Sequence, residues 1–244
     1  MSADSTDKPR RKFLVHSMTG AAAAASLGAS APSGAQTAGG SAPAAAPAAA
    51  EAAEGYRWLK PSEQGFVEAL VNHMCPKDAY SPSGVDMGLN VYFDRTLGGE
   101  WGQGHRLYSK GPFRKGTPNQ GYQLGLTPAE LFRAGTVGVL QYCASRYGKT
   151  FEALSPADKE AVLLGLQRGT IALPNGVPAA TYFGHVYQLF VEGMFADPIY
   201  GGNRQKAGWK MINYPGAATN NRQNIARFKN KPFKAEPLGI ADVS

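Results

Sequence analysis

The sequence predicts a mainly α-helical protein: a single helical domain with long irregular loops, which follows a flexible tether rich in alanine and proline. Apolar residues recur at helical spacing in five segments between residues 60 and 195. Three of these segments open on a proline, which the first turn of a helix tolerates because the missing N–H has no helical partner there. The sequence contains no run of alternating β-branched residues, so any sheet is expected to be minor.

The first two helices are expected over residues 61–74 and 85–97. A proline opens the first helix and Pro76 closes it, with apolar side chains at helical spacing between them. The second helix ends at Gly98, a residue type that commonly follows a helix. Residues 100–126 have no clear period and predict a long irregular loop. Such loops inside compact domains are usually functional or bound by a partner.

Three further helices are expected over residues 127–147, 155–169 and 177–195. Thr127 and Glu130 have the spacing of a capping box, in which each side chain binds a backbone N–H of the first helical turn. The second of these helices opens on a serine followed by proline, which is also a helix start signal. The third is rich in aromatic residues.

Residues 1–35 predict an export signal of the twin-arginine kind. Arg10 and Arg11 are adjacent, and Phe13 and Leu14 begin an alanine-rich apolar run. That run is shorter than the roughly 20 residues that a membrane-spanning helix needs. An ordinary basic segment of a general secretory signal is the alternative. Twin-arginine export carries folded cargo, which raises the question of whether a cofactor is inserted before export.

Composition divides the rest of the chain into a linker, a domain and a tail. Residues 36–55 consist almost wholly of small residues and proline, so they cannot offset their ordering entropy and predict a flexible linker. Residues 56–217 are long enough for one helical domain with its own core. Residues 218–244 have little periodicity and isolated apolar residues. We expect this tail to lie extended across another subunit, with disorder as the alternative.

The chain carries a net charge of +7, and the excess is concentrated near its C-terminal end. Residues 203–234 contain no acidic side chain and eight basic ones: Arg204, Lys206, Lys210, Arg222, Arg227, Lys229, Lys231 and Lys234. A nucleic-acid surface is one interpretation. An exported protein rarely meets nucleic acid, so we favour a surface that packs on an acidic protein partner or lies near anionic lipid.

Motifs for cofactor and metal binding are missing from the sequence. It has no G-x-G-x-x-G after a predicted strand, no Walker loop, no C-x-x-C-H and no H-x-x-x-H. We therefore assign no catalytic, cofactor-binding or metal-binding residue and expect no cofactor in this chain. A free-standing exported enzyme that uses Cys143 with His73 or His185 is the alternative. Cys75 and Cys143 either form a disulfide or remain two buried free thiols.

Several strings along the chain carry a resemblance to a known family. They are Phe-Ala-Asp-Pro-Ile-Tyr-Gly-Gly-Asn-Arg at residues 195–204, Gly-Trp-Lys at 208–210, Tyr-Pro-Gly at 214–216, Tyr-Ser-Lys-Gly-Pro-Phe at 108–113, parts of 121–131, and Phe-Glu-Ala-Leu-Ser-Pro at 151–156. These strings resemble the small (gamma) subunit of membrane-bound gluconate 2-dehydrogenase, the subunit 3 family. The resemblance covers residues 58–217.

The resemblance implies a periplasmic heterotrimer that is associated with the inner membrane. In that family, a flavoprotein subunit of the glucose-methanol-choline class holds FAD, and a multihaem cytochrome c subunit passes electrons to quinone. The small subunit holds neither cofactor and is thought to escort the folded flavoprotein through the twin-arginine translocase. For this chain it implies a non-catalytic subunit of a gluconate, or related sugar or polyol, dehydrogenase, which meets the membrane only through the complex.

The hallmark segment, residues 195–216, supplies the residues that we expect at a partner interface. Its paired glycines permit close backbone approach, and its large amphipathic rings are of the type enriched at binding hot spots. The candidates are Asp197, Tyr200, Gly201, Gly202, Asn203, Arg204, Trp209 and Tyr214. An internal clamp, in which Arg204 satisfies carbonyl groups of the same chain, is the alternative, and one segment could serve both purposes.

Overall fold

A computed structural model describes most of the chain that follows the predicted signal and linker. The described residues are 55–105, 107, 110–114, 116–117, 120, 123–217 and 222–243. The predicted signal, with Arg10, Arg11, Phe13 and Leu14, lies outside them, as do the linker up to residue 54 and the start of the tail.

Within the residues that the structure describes, five long helices build the domain, and three short ones follow. The long helices are α1 (Pro61–Met74), α2 (Leu89–Gly98), α3 (Pro128–Tyr147), α4 (Pro156–Gln167) and α5 (Ala179–Phe195). The short helices are α6 (Ala207–Met211), α7 (Arg222–Arg227) and α8 (Ile240–Val243), and 3-10 turns occur at Phe151–Ala153, Pro198–Tyr200 and Arg204–Lys206. In the described ranges, β pairing is limited to one isolated parallel bridge between Gly216 and Leu238. The predicted mainly α-helical fold is confirmed.

The predicted start signals of α3 and α4 form the expected caps. The Thr127 hydroxyl accepts the Glu130 N–H at 3.2 Å, and the Glu130 carboxylate accepts the Thr127 N–H at 2.8 Å. At the start of α4, the Ser155 hydroxyl accepts the Asp158 N–H at 3.2 Å. These bonds satisfy backbone donors that have no partner within the helix, so both helices begin where the local sequence places them.

The second helix begins later than predicted, at Leu89 instead of residue 85. Gly88 precedes it with a φ of 77°, in the left-handed region, and this conformation interrupts the helical path. The fifth helix likewise begins at Ala179, after Pro178, instead of at residue 177.

The core lies where α5 packs against α2, α3 and α4, while α1 packs against α2 and α3. Its largest buried side chains include Phe66, Phe93, Phe132 and Tyr182, each at most 1% exposed. The Tyr182 hydroxyl lies 2.8 Å from the hydroxyl of Thr136 in α3, so its buried polar atom has a partner. The aromatic richness of α5 thus serves this core on one side.

The segment before α1 is fixed by a buried carboxylate that the sequence did not single out. Asp94 in α2 is 2% exposed and accepts the N–H groups of Arg57, Trp58 and Leu59 at 2.8 to 2.9 Å. Three charge-assisted bonds offset the cost of burying the carboxylate. They join the entry of the chain to the second helix.

The tail differs from the predicted extended segment. It contains the short helices α7 and α8, and its end returns to the domain. The Leu238 carbonyl accepts the Ala217 N–H at 2.6 Å, and the Ile240 N–H donates to Asp197 at 2.8 Å. Lys206 forms an ion pair with Asp242. The physical reason is long-range: Asp197, Lys206 and Ala217 offer bonding partners to residues 238–242, and a sequence pattern does not reveal contacts between positions so far apart in the chain.

None of the helices that the structure describes is both long and apolar enough to cross a membrane.

Candidate partner-binding site

The hallmark segment is anchored by Asn203, which is 0% exposed. Its φ of 47° lies in the left-handed region, which asparagine adopts more readily than most residues. The side-chain amide donates to the Ala196 carbonyl at 2.9 Å, and the side-chain oxygen accepts the Gly208 N–H at 2.8 Å. One side chain therefore ties the end of α5 to α6.

Two glycines let the segment lie directly against the last turn of α5. A Cβ atom on Gly202 would lie 2.3 Å from the Gly193 carbonyl oxygen, and one on Gly208 would lie 2.1 Å from that of Met194. Both distances are far shorter than real contacts of this kind, so any side chain at these positions would push the segment off the helix. Glycine is required at both positions because only a residue without a Cβ atom allows the backbones to pack this closely.

A third contact joins the segment to the turn before α2. The Arg204 N–H donates to the Met87 carbonyl at 3.0 Å. A Cβ atom on Gly88 would lie 2.4 Å from the Gly201 carbonyl oxygen and 2.7 Å from Nε of Arg204. The left-handed Gly88, which shortens α2, thus makes room for the hallmark segment.

Trp209 closes the end of α5. The side chain is 4% exposed, and its indole N–H donates to the Phe195 carbonyl at 2.7 Å. Carbonyl groups in the last turn of a helix lack helical partners, so this bond caps the helix. The Tyr214 ring stands edge-on to the Trp209 ring, with 5.4 Å between centroids.

Asp197 joins the segment to the end of the chain. One carboxylate oxygen accepts the Ile199 N–H at 3.1 Å and caps the following 3-10 turn. The other accepts the Ile240 N–H at the start of α8. A single carboxylate therefore holds two short elements that have little packing of their own.

The hallmark candidates divide into anchors, which are buried or half-buried, and exposed rings. Those whose contacts hold the segment to its own domain are Asp197, Gly201, Gly202, Asn203, Arg204 and Trp209. The rings of Tyr200 and Tyr214 are 56% and 45% exposed. The internal clamp thus has specific contacts in the structure, and a partner interface at the two exposed rings stays a prediction.

An open apolar groove lies beside Tyr200, between α2 and α5. Its volume is about 660 Å³, and it is lined by Tyr92, Thr96, Trp101, Val191, Glu192, Phe195, Ala196 and Tyr200. Its acidic residue is held in place: Glu192 accepts bonds from the Tyr92 hydroxyl at 3.2 Å and from the Gln188 amide at 2.8 Å. The groove offers aromatic and aliphatic surface with one fixed carboxylate.

Trp101 is the most exposed of the groove residues that sequence reasoning did not place at a site. It lies in the loop after α2, which has no helical period, and its neighbour Gly102 packs so closely that a Cβ atom would lie 2.0 Å from the Leu97 carbonyl oxygen. The Gly102 carbonyl accepts the Ala129 N–H at 2.9 Å, which fixes the loop to α3. The available signal was a tryptophan beside glycines in a loop already expected to be functional.

His185 stacks against Trp101, one of the residues that line the groove. The two rings stack at an angle of 13°, with 5.7 Å between centroids. Burial lowers the pKa of His185 from 6.5 to about 4, against the opposing effect of its hydrogen bond with the Pro128 carbonyl. The ring is therefore neutral near pH 7.

The residues of the alternative enzyme are not assembled into a site. Burial raises the pKa of the fully buried Cys143 to about 11, which disfavours the thiolate that a nucleophile needs. His73 bonds with Glu160 at 2.9 Å, whereas His185 stacks on Trp101. Within the described part of the chain, no hydrogen bond joins any two of Cys143, His73 and His185.

Cys75 and Cys143 are both buried free thiols in the structure. Of the two predicted alternatives, the structure therefore has the free thiols and not the disulfide. The Cys75 sulfur lies 3.6 Å from the Ser81 hydroxyl and 3.9 Å from the Met87 sulfur. Over the described ranges, no three His, Cys, Asp or Glu residues are grouped so that they could hold a metal ion.

The protein is thus a small helical protein in which the hallmark segment is held to its own domain and borders an aromatic groove. The family model of gluconate 2-dehydrogenase subunit 3 matches residues 61–216, more than half of the 244-residue chain. The chain therefore belongs to the gluconate 2-dehydrogenase subunit 3 family, as the hallmark strings predict, and is a small subunit of such a dehydrogenase complex. Comparisons with curated proteins and with solved structures gave no match.

The matched range agrees with the architecture. It begins at the first residue of α1, includes every long helix and the whole hallmark segment, and ends at Gly216, where the chain pairs with Leu238. The tail follows the match.

Proposed function

We propose that this chain is the non-catalytic small subunit of a periplasmic, membrane-associated and flavin-dependent dehydrogenase of gluconate or a related sugar or polyol. Its role is to escort the folded flavoprotein subunit through the twin-arginine translocase and to stabilise it afterwards. FAD belongs to that partner, of the glucose-methanol-choline class, and haem c belongs to a multihaem cytochrome c partner.

The observation that carries this proposal is the family match over residues 61–216. A family defined as one subunit of a larger dehydrogenase implies partner subunits. The contacts of the hallmark segment favour a structural role, because its buried polar groups bind the segment's own backbone. The alternative enzyme has no such support, since Cys143 and the two histidines lie against different neighbours.

The N-terminal sequence supports the escort role. Arg10 and Arg11, followed by Phe13 and Leu14, match a signal for the export of folded cargo. A chain without its own cofactor needs no folded export for itself. A partner that receives FAD before export does need it, and would be exported while bound to this chain.

The groove is the surface that we propose for contact with the flavoprotein. Tyr200 and Trp101 are 56% and 39% exposed, although the backbone around them is fixed by buried contacts. Aromatic residues on a rigid scaffold are favourable anchors, because they lose little conformational freedom on binding. Ile199, in the same 3-10 turn as Tyr200, and Tyr187, in α5, are further apolar residues and are 53% and 50% exposed.

The export experiment replaces Arg10 and Arg11 together by lysine. Lysine keeps the charge but not the guanidinium geometry, so we expect both this chain and its flavoprotein partner to remain in the cytoplasm. Cell fractionation followed by detection of both subunits measures the outcome. The matched control replaces Lys8 and Lys12 by arginine, which alters two basic residues of the same segment and keeps the pair.

Normal periplasmic flavoprotein in the variant with two lysines would contradict the escort role. It would leave the family membership intact, because that rests on residues 61–216.

A further inference from the structure

Residues 222–234, which we name the basic lobe, form a short helix and a turn within the tail. It begins with α7, and the Phe228 N–H donates to the Asn224 carbonyl at 2.9 Å. The Phe228 and Phe233 rings meet edge-on with 4.8 Å between centroids, around a turn in which Asn230 has a φ of 59°. The aromatic pair therefore closes the turn that carries Lys229 and Lys231.

The lobe carries positive charge that acidic groups do not offset. Arg227, Lys229, Lys231 and Lys234 are exposed. In the part of the chain that the structure describes, no carboxylate pairs with any of these four. The Arg227 guanidinium lies 5.3 Å from the centre of the Phe228 ring, which positions it without neutralising it.

An exposed apolar side chain lies within this charge. Ile225 is 72% exposed, which is the highest exposed fraction of any large aliphatic side chain in the described chain. It follows Arg222 by three positions in α7, so the two side chains share one side of the helix. Apolar surface bordered by basic side chains is the arrangement with which helices bind the interface of an anionic membrane.

The composition of the lobe favours lipid over protein as the occupant. Lysine supplies three of the four unpaired cations, and lysine is depleted at protein–protein interfaces, where arginine is enriched. Anionic headgroups require charge density near the surface and no fixed bonding geometry, which flexible lysine side chains provide.

We propose that the basic lobe binds the surface of an anionic phospholipid membrane directly. This contact adds to the indirect membrane association expected through partner subunits, and it does not depend on the proposed escort role. The bonds of Leu238 with Ala217 and Pro215, at 2.6 and 3.1 Å, close the tail at the base of the lobe. Substitutions within the lobe should therefore leave the hallmark contacts in place.

The test measures co-sedimentation of the purified full-length chain with vesicles. One set contains phosphatidylglycerol mixed with phosphatidylcholine, and the other contains phosphatidylcholine alone. We expect binding to the anionic set only, and loss of binding when ionic strength rises from about 0.05 M to about 0.5 M, because salt screens the attraction. Replacing Arg227, Lys229, Lys231 and Lys234 by glutamine should weaken binding by at least about tenfold, since each such cation contributes about fivefold near an anionic surface.

A matched variant controls for net charge. It replaces Lys77, Lys110, Lys149 and Arg168 by glutamine, four basic residues that are also exposed but lie outside the lobe. Both variants keep the same N-terminal residues, so the basic residues of the predicted signal contribute equally. A third variant, Ile225→Ser, keeps every charge and should weaken binding to anionic vesicles by removing the apolar contact.

Equal losses in the two glutamine variants would overturn the proposal, because net charge alone would then explain binding. Binding of the wild-type chain to both vesicle sets, or to neither, would also overturn it. If the lobe variant binds vesicles like wild type but loses its flavoprotein partner, the lobe is a protein-binding surface and the lipid proposal is wrong.

Discussion

Asn203 shows how much one residue of the hallmark segment determines. Its position requires a left-handed backbone, a buried side chain, and both a donor and an acceptor at fixed places. Asparagine is the residue that meets all of these demands, because its short amide offers both groups and tolerates this conformation. Asparagine at position 203 therefore meets a structural requirement of this chain itself, which does not depend on the partner contacts of the segment.

Replacing Asn203 by alanine should lower the free energy of unfolding by about 2 to 4 kcal/mol, because two buried bonds are lost and the left-handed backbone is strained. Chemical denaturation of the purified chain measures this. Asn213→Ala is the matched control: Asn213 also has a positive φ, of 57°, but is exposed. Equal costs in the two variants would mean that the side-chain bonds of Asn203 contribute nothing.

His185 should make stability depend on pH. Its folded pKa, about 4, lies below the ordinary value of 6.5, so the unfolded chain binds more protons between these values. Its contribution is therefore complete above about pH 6.5 and is lost as pH falls toward 4. Between pH 7 and pH 5 the wild type should lose about 1 to 2 kcal/mol through this ring, and His185→Phe should not.

The comparison requires denaturation curves at both pH values, since only the difference between them isolates the ring. His105→Gln, at an exposed histidine, is the control and should keep the wild-type difference. A pH difference in His185→Phe as large as in wild type would assign the effect to other groups.

The end of the tail, residues 238–243, helps to hold the hallmark segment in place. Truncation after Pro237 removes the pairing of Leu238 with Ala217 and the bond from Ile240 to Asp197. We expect the isolated chain to lose about 1 to 3 kcal/mol of unfolding free energy, measured by denaturation. The expectation of an extended tail on another subunit would instead require nearly unchanged stability.

A paired control separates the backbone contacts from the nearby ion pair. Lys206→Gln with Asp242→Asn removes that pair but keeps the residues that carry the backbone bonds. Because exposed ion pairs contribute little, its cost should stay below about 1 kcal/mol.

Sequence predicted those elements that local signals determine. Thr127 and Ser155 start their helices as expected, because capping acts within four residues. The start of α2 was placed four residues early, because the left-handed Gly88 is required by contact with Gly201, more than a hundred residues away in the chain. The tail differed from prediction for the same reason, since Asp197 and Ile240 meet only in the folded protein.

At the scale of the whole molecule, the groove could not be predicted from any single stretch of sequence. Its residues come from α2, the following loop, α5 and the hallmark segment. Tyr200 was expected at an interface because of its string, but Trp101 is brought beside it by long-range contacts such as the bond between Gly102 and Ala129. The family match and the helical class were accessible, because both depend on patterns along the chain.

The groove should contribute to association with the flavoprotein. Replacing Tyr200 and Trp101 together by alanine should weaken binding by about 2 kcal/mol or more if they are anchors of the interface. Tyr80→Ala is the control, because Tyr80 is 82% exposed and does not line the groove. Affinity is measured between purified subunits, after circular dichroism has shown that each variant keeps its helices.

Unchanged affinity in the folded double variant would exclude the groove as the flavoprotein contact. The escort role would then need another surface, with the exposed ring of Tyr214 as the next candidate.

The parallel bridge between Gly216 and Leu238 has a consequence for how this chain can be altered. It brings the two ends of an excursion of the chain together at a fixed point, so the length between them is free to change. The entropic cost of such a closed loop grows only logarithmically, by about 0.6 kcal/mol for each doubling of length. Whole segments could therefore be added or removed here without remodelling the scaffold, and an engineer could insert a reporter or a foreign binding peptide at the same place.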